Sequence, residues 1–391
     1  MGQLNIGLFG FGVVGEGIYN VLSQKQDLGC NIQKIAIKHP DKKRNAPQAL
    51  FTTEAEEILN DPNIDLVVEL IDDPHAALSI VSEAMKKGKS VVSANKKMIA
   101  ENHLKLIELS VANGVSFLYE AAVCGSVPII RNLEEYFDND LLTYVQGIVN
   151  GSTNYILSKM KNENAGYDLA LADAQKNGFA ESDPSLDVEG MDAAYKISII
   201  TLHAFGKHVF ADNILRKGIT SLQEKDFQYA KEKELVIKLV AKSCLNKQGK
   251  LTRVSVLPTF IEKSDALGLT NNEYNGILIG SSLADEQFLY GKGAGRYPTS
   301  SAVLSDISAL KYGYKYEYKK GLQTIGIAAE QPAKFYISFE HDVEFDDAVF
   351  EVIEEHYVGK DREYIIGTIN YNKLQQSNLL QDDRISVISF N

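Results

Sequence analysis

The sequence predicts an α/β protein: a domain on a parallel sheet, an α+β domain after it, and a small C-terminal module. Three observations predict this. Short apolar strands alternate with helical patterns up to about residue 130. The glycine-rich run GFGVVG stands between the first strand and the first helix. From Leu251 onward the pattern turns strand-like, and a short mixed segment closes the chain.

Taken in order, Leu4–Phe9 reads as a strand, Val14–Gln24 as a helix and Asn31–Ile37 as a second strand. Asp65–Ile71 (DLVVELI) and Ser90–Ser93 are further strands, with Ala76–Lys87 helical between them. These strands are continuously apolar rather than alternating, which is the mark of a parallel sheet covered on both faces. Asp168–Asn177 and Met191–Phe205 read as helices joined by a polar loop. Leu251–Ile279 is strand-like, and GKGAGRYPTSSAV, from Gly291, leads into a helix rich in small residues. Lys334–Asn391 carries strand, helix, strand and strand signals in that order.

Composition excludes several classes. Across 391 residues, 52 acidic against 40 basic side chains give a net charge of -12, which repels nucleic acid and anionic membrane. No apolar stretch approaches the roughly 20 residues of a membrane helix, and the start MGQLNIGLFGFG has no signal-peptide pattern. Cys30, Cys124 and Cys244 are too scattered for a disulfide framework and suit a reducing cytosol, so a cytoplasmic location is expected. The seven histidines include no pair at metal-ligand spacing.

In the glycine run, Gly10, Phe11, Gly12, Val13, Val14 and Gly15 form the expected dinucleotide-binding turn of a Rossmann domain. Gly10 serves the tight turn, Gly12 the close approach of a pyrophosphate, and Gly15 the packing of helix on sheet. The helix start offers free N–H groups and a positive dipole end to the phosphates. The second strand is followed by IAIKHPDKKR, with Lys38, Lys42, Lys43 and Arg44. Basic side chains here favour a 2′-phosphate, so NADP(H) is the expected cofactor and NAD(H) the alternative. Asp41 could instead take a ribose hydroxyl, and a solvated basic loop is the plain alternative.

The stretch from Ala174 to Lys196, AQKNGFAESDPSLDVEGMDAAYK, is the most informative. Pro184 and Gly190 bracket a turn, and Asp192 and Lys196 then stand four apart on one helix face. Apolar Ile197, Ile199, Ile200 and Leu202 follow, so a carboxylate and an ammonium at this helix start are expected to be partly desolvated. On pattern alone, a surface ion pair beside a loop is the alternative.

This stretch resembles the signature of homoserine dehydrogenases, matched here by Ala174, Gly178, Phe179, Ala180, Asp183, Pro184, Asp187, Gly190, Asp192 and Lys196. VSANKK, with Asn95 and Lys96, NGSTNYI from Asn150, and GKGAGRYPTSSAV are similar to three further segments of that family, and the resemblance spans about residues 4–315. It implies reversible reduction of L-aspartate 4-semialdehyde to L-homoserine, in threonine, methionine and isoleucine biosynthesis. It implies Lys196 as proton donor to the carbonyl oxygen, Asp192 as its orienting partner, and Lys96 as a second lysine shared by cofactor and substrate. Glu181 and Asp187 would hold the substrate ammonium, aided by Gly178 and Ser152, and Gly295 would close the cofactor site. Hydride arriving at an aldehyde carbon builds negative charge on oxygen, which a nearby ammonium stabilises and protonates. EAAVCGSVPI is similar to a loop that binds a monovalent cation, Na⁺ or K⁺, through the carbonyls of Glu120, Val123, Gly125 and Val127; a plain strand-to-helix loop is the alternative.

Two segments depart from the family pattern. Asp72 and Asp73 stand where a Gly-Gly pair is common. FYISFEH is similar to the opening of an ACT regulatory module, but the usual turn glycine is missing from HDVEFDDAVFEV. Without it a backbone cannot come as close to an amino-acid ligand, so threonine control is expected to be weak or absent. The expected division is 1–130 (completed by 296–315) for the Rossmann domain, 131–295 for catalysis and dimerisation, and 330–391 for an ACT-like module, in a homodimer or larger assembly. An aspartate-semialdehyde dehydrogenase would need a nucleophilic cysteine, and Cys124 has no evident histidine partner. A silent amino-acid sensor would be plausible had Asp192 or Lys196 been replaced.

Overall fold

Residues 3–25, 28–138, 141–324, 332–360 and 363–391 are described by the computed structural model of the chain. They form two compact units, Met1–Asp138 with Lys292–Gly321, and Asn139–Gly291 with Leu322–Asn391. The expected start of the C-terminal module at residue 330 lies outside the described residues.

The first unit is built on strands β1 (Leu4–Phe9), β2 (Cys30–Ala36), β3 (Phe51–Thr52), β4 (Leu66–Glu69), β5 (Ser90–Ser93) and β6 (Phe117–Leu118). They are parallel, in the order β3-β2-β1-β4-β5-β6. All four residues of β4 are buried, the apolar Leu66, Val67 and Val68 and the carboxyl-bearing Glu69 alike. The chain reverses its direction of travel across the sheet between β1 and β4, the switch point beyond whose strand ends sheets of this order generally bind ligands. Helix Val13–Gln24 follows β1, Pro74–Lys86 follows β4 and Lys96–Ala112 follows β5.

Helix Arg296–Leu310 joins this unit from far along the chain and packs on Val13–Gln24. Gly17 makes the contact possible, since a Cβ there would meet Ser300 Oγ at 2.4 Å. An ion pair from Arg296 to Glu16 at 2.8 Å ties the same two helices. Asp73 acts locally, as the cap of helix Pro74–Lys86: its carboxylate accepts from the N–H groups of His75 and Ala76 at 2.9 and 3.1 Å.

The second unit contains β7 (Leu142–Ile148), β8 (Lys207–His208), β9 (Leu215–Arg216), β10 (Leu235–Leu245), β11 (Leu251–Glu262), β12 (Tyr274–Ser281) and β13 (Asp285–Lys292). It continues with β14 (Gln323–Thr324), β15 (Ala333–Phe339), β16 (Phe350–Val358), β17 (Glu363–Ile369) and β18 (Ser386–Phe390). Its large sheet runs β13-β12-β7-β10-β11-β18-β15-β17-β16, with β9 also paired to β11; β8 and β14 pair separately. Helix Met191–Phe205 lies against β7, β10 and β11, and every residue from Asp192 to Phe205 is buried.

The C-terminal segment differs from the expected strand, helix, strand, strand. Only a one-turn 3-10 segment, Asp347–Val349, stands between β15 and β16, and the helix, Tyr371–Gln376, comes after β17. Its four strands are antiparallel in the order last, first, third, second. β18 also pairs in parallel with β11, so these strands continue the sheet of the second unit. One apolar cluster joins Leu215 and Leu257 to Phe335, Ile337, Phe339 and Ile365. Buried Asp226 fastens the same junction: it accepts from Tyr336 and Ser338 hydroxyls at 3.1 and 2.6 Å and from Ser386 at 2.8 Å. Among the described residues no helix is long and apolar enough to cross a membrane.

Candidate active site

In the first unit the glycine run behaves as its spacing requires. Gly10 has φ +96°, and a Cβ there would meet the Leu70 carbonyl oxygen at 2.8 Å. A Cβ on Gly15 would lie 2.4 Å from the Gly10 carbonyl oxygen, so only glycine lets the helix start so close to the turn. Gly12 is different: a Cβ would meet nothing within 4 Å, and no side chain caps the helix that it begins. Open space beside uncapped helical N–H groups fits a pyrophosphate. Phe11 packs edge-on against Phe51 at 5.2 Å, and the Arg44 guanidinium lies 5.5 Å over the same Phe51 ring. Arg44 is thereby held beside the glycine turn. Lys38 is exposed at the end of β2. The N–H groups of Ala76 and His75 hold the Asp73 carboxyl below its usual range, with a smaller contribution from Lys38.

Lys96 is the first residue of helix Lys96–Ala112, whose cap, Asn95, accepts from Met98 N–H at 2.9 Å. The Asn95 amide also donates to the Ile71 carbonyl at 3.0 Å, tying the ends of β4 and β5. Glu69, to which no sequence pattern draws attention, sits buried at the same edge. It accepts from Ile71 N–H at 2.7 Å and Ser93 Oγ at 2.6 Å. Burial pushes its carboxyl up to about 7, against the lowering effect of those two bonds.

The expected cation loop lies in the same unit. Gly125 has φ +55°, and the Gly293 carbonyl oxygen would be 2.4 Å from a Cβ there. Among the described residues, the Glu120 and Val127 carbonyls accept from Val123 and Ile129 N–H, whereas those of Val123 and Gly125 accept from no backbone N–H. Two of the four expected carbonyls are thus left without a backbone donor, at a turn that only glycine tolerates, and the other two are already engaged within the loop. The Glu120 side chain is occupied, accepting from Ile130 and Arg131 N–H at 2.9 Å each. Gly295, at φ +115°, caps helix Arg296–Leu310.

In the second unit, Lys196 and Asp192 form a 2.7 Å ion pair with side chains only 11% and 3% exposed. The burial separates this pair from an ordinary surface pairing. Lys196 Nζ also donates to the Val149 carbonyl at 2.7 Å. An ammonium has three protons; these two contacts use two, and the third has no partner among the described residues.

Asn150 organises the carboxylates. Its amide nitrogen donates to Asp187 at 2.7 Å and to Asp192 at 2.8 Å, while its oxygen caps helix Gly151–Glu163 by accepting from Thr153 N–H. Both protons of one amide are thus spent bridging two carboxylates. Within NGSTNYI the family resemblance assigns Asn150 no role of its own; an Asn three residues before Thr153 at a helix start is the signal that could have found it.

Gly190 (φ +80°) starts the helix of Asp192 and Lys196, and Gly178 (φ +75°) follows helix Tyr167–Lys176. The Ser152 hydroxyl donates to the Phe179 carbonyl at 2.6 Å, which leaves its lone pairs as acceptors. Glu181 is exposed, and Gln175 donates to its backbone carbonyl at 3.0 Å. No hydrogen bond among the described residues joins the Glu181 carboxylate to Asp187 or Asp192. The structure therefore brings Lys196, Asp192 and Asp187 into one network and leaves Glu181 on the loop beside it.

The family profile described as homoserine dehydrogenase matches residues 128–308, and the one described as its NAD binding domain matches residues 10–120. The homoserine dehydrogenase of Bacillus subtilis is 35% identical over 79% of this chain and 73% of its own length. The crystal structure of a homoserine dehydrogenase from Thiobacillus denitrificans superposes with a TM-score of 0.85 at 27% identity, covering 99% of this chain and 98% of that one. A hyperthermophilic archaeal homoserine dehydrogenase mutant in complex with NADPH covers 80% of this chain and 99% of its own, with a TM-score of 0.69 at 25% identity.

Proposed function

The chain belongs to the homoserine dehydrogenase family, and from that premise we propose how its own residues interconvert L-homoserine and L-aspartate 4-semialdehyde. It is an NAD(P)-dependent oxidoreductase. The buried network of Lys196, Asp192, Asn150 and Asp187 carries the reading of the site. A bound nicotinamide coenzyme supplies hydride in reduction and accepts it in oxidation.

Lys196 delivers its third proton and its positive charge to the carbonyl oxygen as negative charge grows there. In the oxidative direction it receives the alcohol proton. Asp192 and the Val149 carbonyl fix the direction of the ammonium. Asp187, held through one oxygen by Asn150, offers its other oxygen to the substrate ammonium, with Glu181, the Ser152 oxygen and the Gly178 backbone as further ligands. Lys96 acts as a second lysine on the substrate oxygen and the coenzyme. Lys38 and Arg44 favour the 2′-phosphate of NADP(H), a preference supported by the NADPH bound in the archaeal relative. Glu120, Val123, Gly125 and Val127 hold Na⁺ or K⁺ through their carbonyls.

The division into a nucleotide-binding domain, a catalytic and dimerising domain and an ACT-like tail is part of the same reading. The antiparallel order of the four tail strands supports the likeness to an ACT module; the absent first helix and turn glycine favour a supporting role over threonine binding. Edge strand β13, with Phe288 and Tyr290 38% and 52% exposed, supports a homodimer through the central sheets. Cytoplasmic work in threonine, methionine and isoleucine biosynthesis completes the proposal.

Coenzyme reduction by the purified chain with homoserine, using NADP⁺ and NAD⁺ in turn, tests the reading. Turnover with a lower KM for the phosphorylated coenzyme is expected. No turnover with either coenzyme overturns the proposal, and equal KM values remove the assignment of Lys38 and Arg44.

A further inference from the structure

Lys217, immediately after β9, is 3% exposed, and no carboxylate pairs with it among the described residues. Its ammonium donates to three backbone carbonyls of the tail: Asp382 at 2.8 Å, Leu380 at 3.3 Å and Leu379 at 3.4 Å. All three protons are therefore spent on one tail turn. Burial lowers the pKa of this lysine, partly offset by Asp383 and Asp382. A buried cation satisfied by neutral carbonyls is a costly fixture unless its position matters.

The backbone around Lys217 leads directly to the acidic loop. The Lys217 N–H donates to the Val256 carbonyl at 3.0 Å, fixing this stretch to β11. Ile219 N–H donates to the Val188 carbonyl at 2.8 Å. Gly218 packs so tightly beneath Val188 and Glu189 that a Cβ would lie 2.3 Å from the Val188 oxygen and 2.7 Å from Glu189 Cα. Arg216, one residue before Lys217, donates to the Glu189 carbonyl. Val188 and Glu189 follow Asp187 and lead through Gly190 into the helix of Asp192 and Lys196, and Gly190 N–H bonds back to the Asp187 carbonyl at 2.9 Å. Arg216, Gly218 and Ile219 thus grip the turn between the two carboxylates, while Lys217 anchors their backbone to the tail.

We propose that Lys217 is a positioning residue: by clamping the tail turn 379–382 against segment 216–219, it sets the place of the Val188–Gly190 turn and hence of Asp187. The substrate consequence rests on the role proposed above for that carboxylate. The tail then serves the reaction as a brace for the substrate loop. A cavity of about 550 Å³ lined by Glu189, Arg216, Lys217, Gln381 and Asp383 adjoins the clamp. Water from it can solvate the three carbonyls when the ammonium is removed, so the lesion stays local.

The test uses the full chain with Lys217→Met, Lys217→Arg and Gly218→Ala. Lys217→Met should raise KM for homoserine about three- to tenfold with kcat within about threefold, and leave coenzyme affinity unchanged. Lys217→Arg, which keeps charge and donors, should recover most of that KM. Gly218→Ala, pushing on Val188 from the other side, should show the same KM-weighted defect. Amide hydrogen exchange across residues 187–192 should quicken in Lys217→Met without any substrate present. Unchanged exchange there, or a lower Tm with unmoved KM, makes Lys217 a purely structural anchor and overturns the proposal. If the unmodified chain does not turn over homoserine while exchange still quickens, the clamp stands and the functional reading fails.

Discussion

Lys196 has two of its three protons committed, to Asp192 and to the Val149 carbonyl, and the whole pair is buried. Removing it by Lys196→Ala takes away an acid and a charge at the developing alkoxide, a loss of about 100- to 10,000-fold in kcat. Coenzyme binding measured by titration should survive, because the glycine turn belongs to the other unit. Activity within about threefold of the parent would reduce Lys196 to a structural partner and promote Lys96. The spacing of Asp192 and Lys196 was legible because four residues along a helix is a local relation. For Asn150 only the helix cap was open to a sequence reading; its bridging role was not, since its amide reaches Asp187 and Asp192 across 37 and 42 residues of chain. Val149 acts through its backbone, which side-chain identity does not record.

At the level of elements, β1, β2, β4 and β5 were readable as short, largely apolar runs between helical patterns, whereas β3 and β6, two residues each, are too short to leave a pattern. Two strands of the second unit were hidden by composition. β10 carries Lys238, which is wholly buried and donates to Asn154 Oδ1 at 3.0 Å; burial pushes it down to about 7. β13 is an exposed edge with a polar pattern. The helix expected after the first tail strand failed because the run HDVEFDDAVF caps and turns locally, with Asp346 accepting from Ala348 N–H at 3.0 Å.

The end of β4 yields a pH prediction. Glu69 is neutral when unfolded only below its ordinary value near 4.5, but holds its proton up to about 7 when folded. Its raised value makes the fold relatively stable in acid and withdraws that stability as pH rises through 7. At about 1.4 kcal/mol per pKa unit, this comes to roughly 3 kcal/mol between pH 4.5 and 7.5. Glu120, also pushed up to about 7 by burial, acts in the same direction in the same unit. Glu69→Gln should therefore shrink the fall in Tm between pH 5 and pH 8 without abolishing it. An identical fall in parent and variant would mean that Glu69 is charged in the folded chain at both values.

For the whole molecule, the relevant fact is that the tail shares a sheet and an apolar cluster with the body of the second unit. Asp226 is the polar fastening, with three hydroxyls from β15 and β18 on its two oxygens. Asp226→Ala strands those hydroxyls in a buried place, and hydrogen bonds to charged groups are worth about 1.5–3 kcal/mol each. A loss of several kcal/mol in urea unfolding is expected, and a change below about 0.5 kcal/mol would show the junction to be carried by apolar contact alone. The sequence suggested an appended module because β15 to β18 form a locally complete set. That β18 enters between β15 and β11 is a pairing across 130 residues, invisible to any local pattern.

The position of β18 also bears on biogenesis. Strands β11 and β15 are both synthesised before the segment that lies between them. A nascent chain halted just before Ser386 would present two unsatisfied strand edges separated by an open slot. The first unit faces the same delay, since helix Arg296–Leu310 is translated long after the glycine turn that it packs beside. Vectorial folding on the ribosome therefore cannot complete either unit early, and the open slot is a strand-edge surface exposed until the last residues are made.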